Sequence, residues 1–201
     1  MWWLIPSGAL LIRALYSRKH KREAESGAMP VIDVVGSRIP QVALKRAPRE
    51  SAAHPGRVSY VDDKYQFVEI FGPMIFALEK YYGFAHGIIL AHAANESGWA
   101  RLTIGKNLFN IKVGDKVTNS YWHGASIKKS HGRYREYDSF TDSVLDYIRL
   151  VGSASRYKRA WANRDNYKKF FEELYLGGYF AGAANVAAFN SVYRTIVGMI
   201  G

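Results

Sequence analysis

Between Gly87 and Ala94 the chain runs through eight residues of which His92 alone is polar, and it then meets Asn95, Glu96, Ser97 and Gly98. A helix over about 85–97 with so little polar surface offers no face to water, so it has to lie inside the fold. Gly98 is a suitable stop, because glycine readily takes the left-handed conformation that ends helices. Residues three and four apart are neighbours on a helix, so Ile89, His92 and Glu96 share one face, while Ile88, Leu90, Ala91 and Ala94 pack elsewhere. Glu96 thus stands at the C-terminal end of a buried helix. Burial there disfavours the ionised carboxylate, and the partial negative charge of the helix end pushes the same way. The expectation is a carboxylic acid that keeps its proton toward neutral pH, which is what protonating a glycosidic oxygen requires. The alternative is an ordinary end-of-helix glutamate capped by Gly98.

The segments on either side fill in a layout. From about Tyr60, apolar residues Phe67, Ile70, Phe71, Met74, Ile75 and Leu78 recur at helical intervals. Pro73 predicts a bend or a fresh start within that helix, and Gly83 its end. Residues 103–138 are rich in Gly, Asn, Lys and Tyr and have no helical period. Within them, "SYWHGASIKK" and "GRYREYDSF" read as short strands joined by turns. Helical patterning returns over 139–152, 166–178 and 185–200. The order is therefore two helices, a small strand-bearing lobe, then three helices, with no internal repeat.

The N-terminal third differs. The uncharged run from Met1 to Ile12 is short of the ~20 residues a membrane-spanning helix needs. It has neither the preceding basic residues nor the cleavage site of a signal peptide. Trp2 and Trp3 next to Arg18, Lys19, Lys21 and Arg22 suit a membrane interface, or a contact with a partner protein. Residues 24–60, with Pro30, Pro40, Pro48 and Pro55, read as a linker in which 31–35 has strand character. The division is 1–23 as a membrane-associated or partner-packed segment, 24–60 as linker, and 61–201 as the globular domain. The net charge of +11 is shared between the N-terminal arm and the domain, and favours a polyanionic partner. No nucleic-acid motif accompanies it, so specific nucleic-acid binding is not expected. With no cysteine in the chain, disulfides and thiolate chemistry are excluded. The histidines show no ligand spacing with carboxylates and there is no phosphate loop, so neither metal nor cofactor is expected.

Five motifs occur in order: "ILAHAANESGWA", "NLFNIK" (107–112), "YWHG" (121–124), "YREYDSFTDSVLDYIRLV" (134–151) and "GGYF" (177–180). The string resembles the glucosaminidase family of peptidoglycan hydrolases, glycoside hydrolase family 73, including its flagellar rod-associated members. That family has an alanine-rich helix ending in Glu-Ser-Gly-Trp, then Asn-Leu-Phe-Gly-Ile-Lys, Trp-x-Gly, Tyr-Asp-Ser before an Asp-Tyr helix, and a late Gly-Tyr. The likeness covers about 62–200. It implies a mainly helical α+β, lysozyme-like fold of two lobes with a small β-lobe. It also implies cleavage of the β-1,4 bond between N-acetylglucosamine and N-acetylmuramic acid in peptidoglycan glycan strands, on the periplasmic or cell-wall side of the envelope. Glu96 matches the family's general acid and Tyr179 its cleft-lining tyrosine. Trp99, Asn107, Phe109, Trp122 and Tyr137 fall in motif positions expected to bind substrate. For Trp99 and Phe109 a plain core role stays open.

Three departures from the pattern bear on the chemistry. The family's β-lobe glutamate is missing, since no acid lies between Gly124 and Arg135. Asp115 and Glu136 are the remaining candidates for the second catalytic group. Asp115, in a turn directed at the cleft, is preferred, and Glu136 reads as a solvent-facing partner of Arg133 or Arg135. Without a second carboxylate, the substrate's own N-acetyl group stabilises the oxocarbenium-like state, or the single acid acts with loosely held water, or an internal sugar hydroxyl attacks and gives a lytic transglycosylase outcome. His92 stands where glutamine is usual, either tuning Glu96 or lying outside the site. The stretch after Tyr179 lacks the usual Ala-Thr-Asp-Pro. The arm and the lack of a secretion signal point to a virion-borne lysin acting at infection, against a membrane-anchored wall-remodelling enzyme. A muramidase of the same fold and a non-catalytic wall-binding component are the other readings.

Overall fold

The computed structural model describes residues 47–50, 54 and 57–200. The expectations for residues 1–23 and for a strand at 31–35 lie outside the described residues. Among the described residues the order is β1 (Arg49–Glu50), β2 (Val58–Ser59), α1 (Lys64–Tyr82), α2 (His86–Ser97), β3 (Ser126–Lys129), β4 (Gly132–Arg135) and α3 (Phe140–Ser153). After these come a 3-10 turn at Ser155–Tyr157, α4 (Lys158–Ala162), α5 (Tyr167–Leu176) and α6 (Ala184–Ile200).

The all-apolar run lies where its composition requires. Every residue of α2 from Gly87 to Ala94 is buried, and the helix packs between α1 and α6. α1 begins at Asp63, whose side chain accepts hydrogen bonds from the backbone N–H groups of Tyr65 and Gln66. It runs unbroken through Pro73, contrary to the expected bend or restart. Pro73 and Glu69 are both exposed, so the carbonyl that loses its partner at the proline faces water. α3 opens with a capping box in which Ser139 and Asp142 bond each other's backbone N–H groups. α4 has no counterpart in the sequence-based layout, because five residues are too few to show a 3.6-residue period.

The β-lobe is one antiparallel hairpin, with Ser126 opposite Arg135 and Lys129 opposite Gly132. Residues 120–125 form no strand, contrary to the reading of "SYWHGASIKK" as extended from its start. The end of the supposed linker is part of the domain. Val58 and Thr103 exchange backbone hydrogen bonds of 3.0 and 3.1 Å, the Tyr60 N–H donates to the Ala100 carbonyl, and Arg57 donates to the Leu102 carbonyl. The described domain therefore reaches back to Arg57 rather than starting at residue 61.

Candidate active site

Glu96 is the penultimate residue of α2, and its side chain retains 18% exposure. The helix is stopped directly behind it. Gly98, Trp99 and Ala100 all have φ between 56 and 61°, a left-handed turn that L residues rarely take. Ser97 stabilises this reversal: its buried hydroxyl donates to the Ala93 carbonyl (2.5 Å) and accepts from the Ala100 N–H (2.8 Å). A Cβ on Gly98 would lie 3.1 Å from Leu102 Cδ1 as well as straining the backbone. The burial expected for Glu96 is thus partial, and its side chain keeps some contact with water.

Asn110 meets the carboxyl from the facing loop. Its Nδ2 donates to Glu96 Oε2 at 3.0 Å and to the Glu96 backbone carbonyl at 2.9 Å. The other oxygen, Oε1, faces His92 Nε2 at 3.7 Å, too long for a direct hydrogen bond. His92 is fully buried in a ring of aromatics, with Tyr179, Phe189 and Tyr147 centroids 4.7–4.9 Å from its own. Its Nδ1 is 2.6 Å from the Tyr147 hydroxyl. Desolvation lowers its pKa, and the nearby Glu96 only partly offsets this, so the imidazole is neutral. Tyr147 in turn stacks on Phe109 at 4.0 Å.

Tyr179 closes the opposite side and donates its hydroxyl proton to the Phe109 carbonyl at 3.1 Å. Burial, then the negative charge of Glu96, and more weakly that of Asp115, push its pKa well above that of a free phenol. Tyr179 therefore feels both carboxylates. The position of Tyr179 depends on Gly177, where a Cβ would fall 2.6 Å from the Arg156 carbonyl oxygen. Asp115 sits in its turn with Oδ2 accepting from the Lys112 N–H (2.8 Å) and Oδ1 3.5 Å from Arg156. Its side chain is 27% exposed.

The other expected residues divide. Trp122 stays half-exposed, with Arg135 over its ring at 4.8 Å and its indole N–H donated to the Ala125 carbonyl. Asn107, Phe109 and Tyr137 are only 0, 1 and 3% exposed, which corrects their reading as substrate contacts. Asn107 is a loop brace: Nδ2 donates to the Ile111 and Arg135 carbonyls, and Oδ1 accepts from the Phe109 and Ile111 N–H groups. Tyr137 donates to buried Asp146, and Phe109 is packed against Tyr147. Trp99 turns toward α1 and meets Phe67 edge-on at 5.6 Å, a core role. Glu136 is exposed as expected, but its proposed partners are engaged elsewhere: Arg133 with Ser126, and Arg135 with Asp146.

Two residues that hold the site were missed from the sequence. Asn110 has φ 53°, which explains why the family places glycine there. Asp146 is fully buried and gathers Arg135 (2.7 Å), Tyr137 (2.9 Å), the Ser120 hydroxyl (2.8 Å) and the Tyr121 N–H (2.6 Å). It binds α3 to the β-lobe. The signal for it was present in the Asp-Tyr pair of the α3 motif.

A cavity of about 710 Å³ lies away from this cluster. It is an apolar groove between α1, α2 and α6, lined by Phe76, Leu90 and Tyr193 among others, and does not suit a sugar chain rich in hydroxyls.

A family model described as mannosyl-glycoprotein endo-beta-N-acetylglucosaminidase matches residues 72–197, which contain Glu96, Asn110, Asp115 and Tyr179. The chain belongs to the glucosaminidase family. The domain is thus that of a glycoside hydrolase. Among relatives of this glucosaminidase, the peptidoglycan hydrolase FlgJ of Vibrio parahaemolyticus is 30% identical over 131 residues, covering 59% of this chain and 42% of the relative. FlgJ of Pseudomonas aeruginosa is 29% identical, covering 57% and 32%. The chain therefore spans less than half the length of these relatives. A peptidoglycan hydrolase of Sphingomonas sp. A1 shares the fold with a TM-score of 0.56 at 25% identity, over 68% of this chain and 92% of that one. The glycoside hydrolase domain of Salmonella typhimurium FlgJ does so with a TM-score of 0.54 at 22% identity, over 69% and 91%. The glucosaminidase has the mainly helical, lysozyme-like architecture expected from its motifs.

Proposed function

We propose that this glucosaminidase cleaves the β-1,4 bond between N-acetylglucosamine and N-acetylmuramic acid in peptidoglycan glycan strands, with Glu96 as general acid. The observation that carries the reading is the setting of Glu96. It lies at the blocked end of a buried helix, its side chain partly exposed and its carboxyl held by Asn110. The relatives named as peptidoglycan hydrolases support the choice of substrate.

In this mechanism the Glu96 O–H bond breaks as its proton moves to the glycosidic oxygen. The C–O bond electrons go to that oxygen, and the sugar develops oxocarbenium character. Tyr179, kept un-ionised by burial and the neighbouring carboxylates, packs beside the acid as a neutral wall. Asp115 orients the attacking water and takes up its proton. Its exposed side and its electrostatic reach to Tyr179 support this role. Trp122, half-exposed on the β-lobe, offers an aromatic face to a sugar ring. The site of action is the cell wall, on the periplasmic side of the envelope. Residues 1–23 supply a membrane or virion-protein contact, consistent with a lysin carried into infection.

The test is digestion of purified peptidoglycan by the full chain and by Glu96→Gln, with mass spectrometry of the new sugar ends. New reducing N-acetylglucosamine ends from the wild type alone are expected, with turnover by E96Q down at least a hundredfold. Reducing or anhydro-muramic ends would reassign the reaction to a muramidase or lytic transglycosylase. Binding without new ends from either protein would make the chain a wall-binding component.

A further inference from the structure

Among the described residues, Asn110 is the hydrogen-bond donor within reach of the Glu96 carboxyl. Its side chain is not needed for the turn it occupies. At φ 53° a glycine, the residue of the family pattern, would serve the backbone without strain. Asparagine tolerates the conformation, but here it leaves its own Oδ1 buried without a hydrogen-bond partner, a penalty glycine would not carry. What the side chain gains is Glu96. One Nδ2 group spends its two hydrogens on the carboxylate and on the carbonyl of the same residue, fixing both side chain and helix end. Both of those atoms are acceptors, so the amide orientation with nitrogen toward Glu96 is the one the contacts require.

We propose that Asn110 is a positioning residue for the proton donor: it aims the Glu96 carboxyl and stabilises the carboxylate left when the proton departs. The inference rests on Glu96 being the general acid. A hydrogen bond to Oε2 grows stronger as that oxygen becomes charged, so it favours the transition state over the protonated ground state. The other groups around the carboxyl do not supply this donor. His92 from α2 is neutral and 3.7 Å away. Tyr147 from α3 bonds His92, and Tyr179 beyond α5 bonds the Phe109 carbonyl. Asp115 and its partner Arg156 act from beyond Tyr179.

The experiment measures kcat and KM of the full chain on solubilised glycan strands as a function of pH, for wild type, Asn110→Gly, Asn110→Asp and E96Q. Glycine keeps the left-handed turn, so N110G should fold with a melting temperature close to wild type. Its kcat should fall by about tenfold to a hundredfold, the range for a lost hydrogen bond to a charged group, with KM changed less than about threefold. The alkaline limb of its kcat/KM profile should move to higher pH, because the donor that favoured the ionised acid is gone. In N110D that limb should move further in the same direction, since a second carboxylate then faces the first. A wild-type limb and kcat in both variants would overturn the proposal. So would a kcat that falls only together with the melting temperature while the limb stays put. E96Q separates the two levels: if it retains turnover, the assignment of Glu96 fails and this inference with it. If E96Q is inactive and the limb never moves, Asn110 alone is misassigned.

Discussion

At the scale of single residues, burial keeps the polar groups packed around Glu96 neutral. His92 is the clearest case. Burial lowers its pKa, so the folded protein resists protonating it, whereas in the unfolded chain it takes a proton below about pH 6.5. The unfolded state therefore binds more protons as pH falls through that range, and stability drops with it. The unfolding free energy of wild type should fall between pH 6.5 and 5 more steeply than that of His92→Gln, by up to about 1.4 kcal/mol per pH unit, as followed by melting curves. Parallel melting curves for the two would mean that His92 does not titrate with unfolding. The burial of the helix that ends at Glu96 was legible in the sequence, because its apolar run offers no face to water. Asn110 was not, since the quoted motif shows only that asparagine stands where glycine is usual. The left-handed backbone that links the two residue types appears only in the structure. Asn107, Phe109 and Tyr137 were misread for a related reason. A motif position can brace the site from behind as readily as touch the substrate, and spacing does not distinguish the two.

At the scale of elements, the helices were legible wherever the 3.6-residue period had room to repeat, as in α1, α3 and α6. Pro73 misled because its effect depends on whether the carbonyl it orphans faces water, and that is a matter of packing. The hairpin was legible and its extent was not, because Ser120 and Tyr121 are held by bonds to Asp146 rather than by strand pairing. The link from α5 to Tyr179 carries the next prediction. Gly177 has no room for a Cβ, with the Arg156 carbonyl oxygen 2.6 Å and Tyr157 Cδ1 2.7 Å from where it would stand. Gly177→Ala must therefore push the α5 end away from the 155–157 turn. It should cost about 1–3 kcal/mol, read as a lower melting temperature, and reduce kcat more than KM by displacing Tyr179. An alanine variant with wild-type melting and turnover would show that the backbone adjusts freely there.

At the scale of the whole molecule, Asp146 ties α3 to Arg135 of the β-hairpin and to Ser120, Tyr121 and Tyr137 beside it. Asp146→Asn would leave the Arg135 guanidinium buried without its counter-charge. The expected loss is about 3–5 kcal/mol, or a melting temperature lower by roughly 6–20 °C, measurable by calorimetry. A small change would mean that water reaches Arg135 in place of the carboxylate. The two-lobed architecture was legible from the order of the motifs, whereas this junction was not, because a fully buried aspartate looks in sequence like any helical one. Asp146 also has Tyr147 as its immediate neighbour. The first grips the β-lobe, and the second holds His92, one turn from the acid. A single peptide unit of α3 is thus the axle on which both halves of the jaw are mounted. A shift of the hairpin is therefore felt at His92, and with it beside Glu96, through two adjacent side chains of one helix.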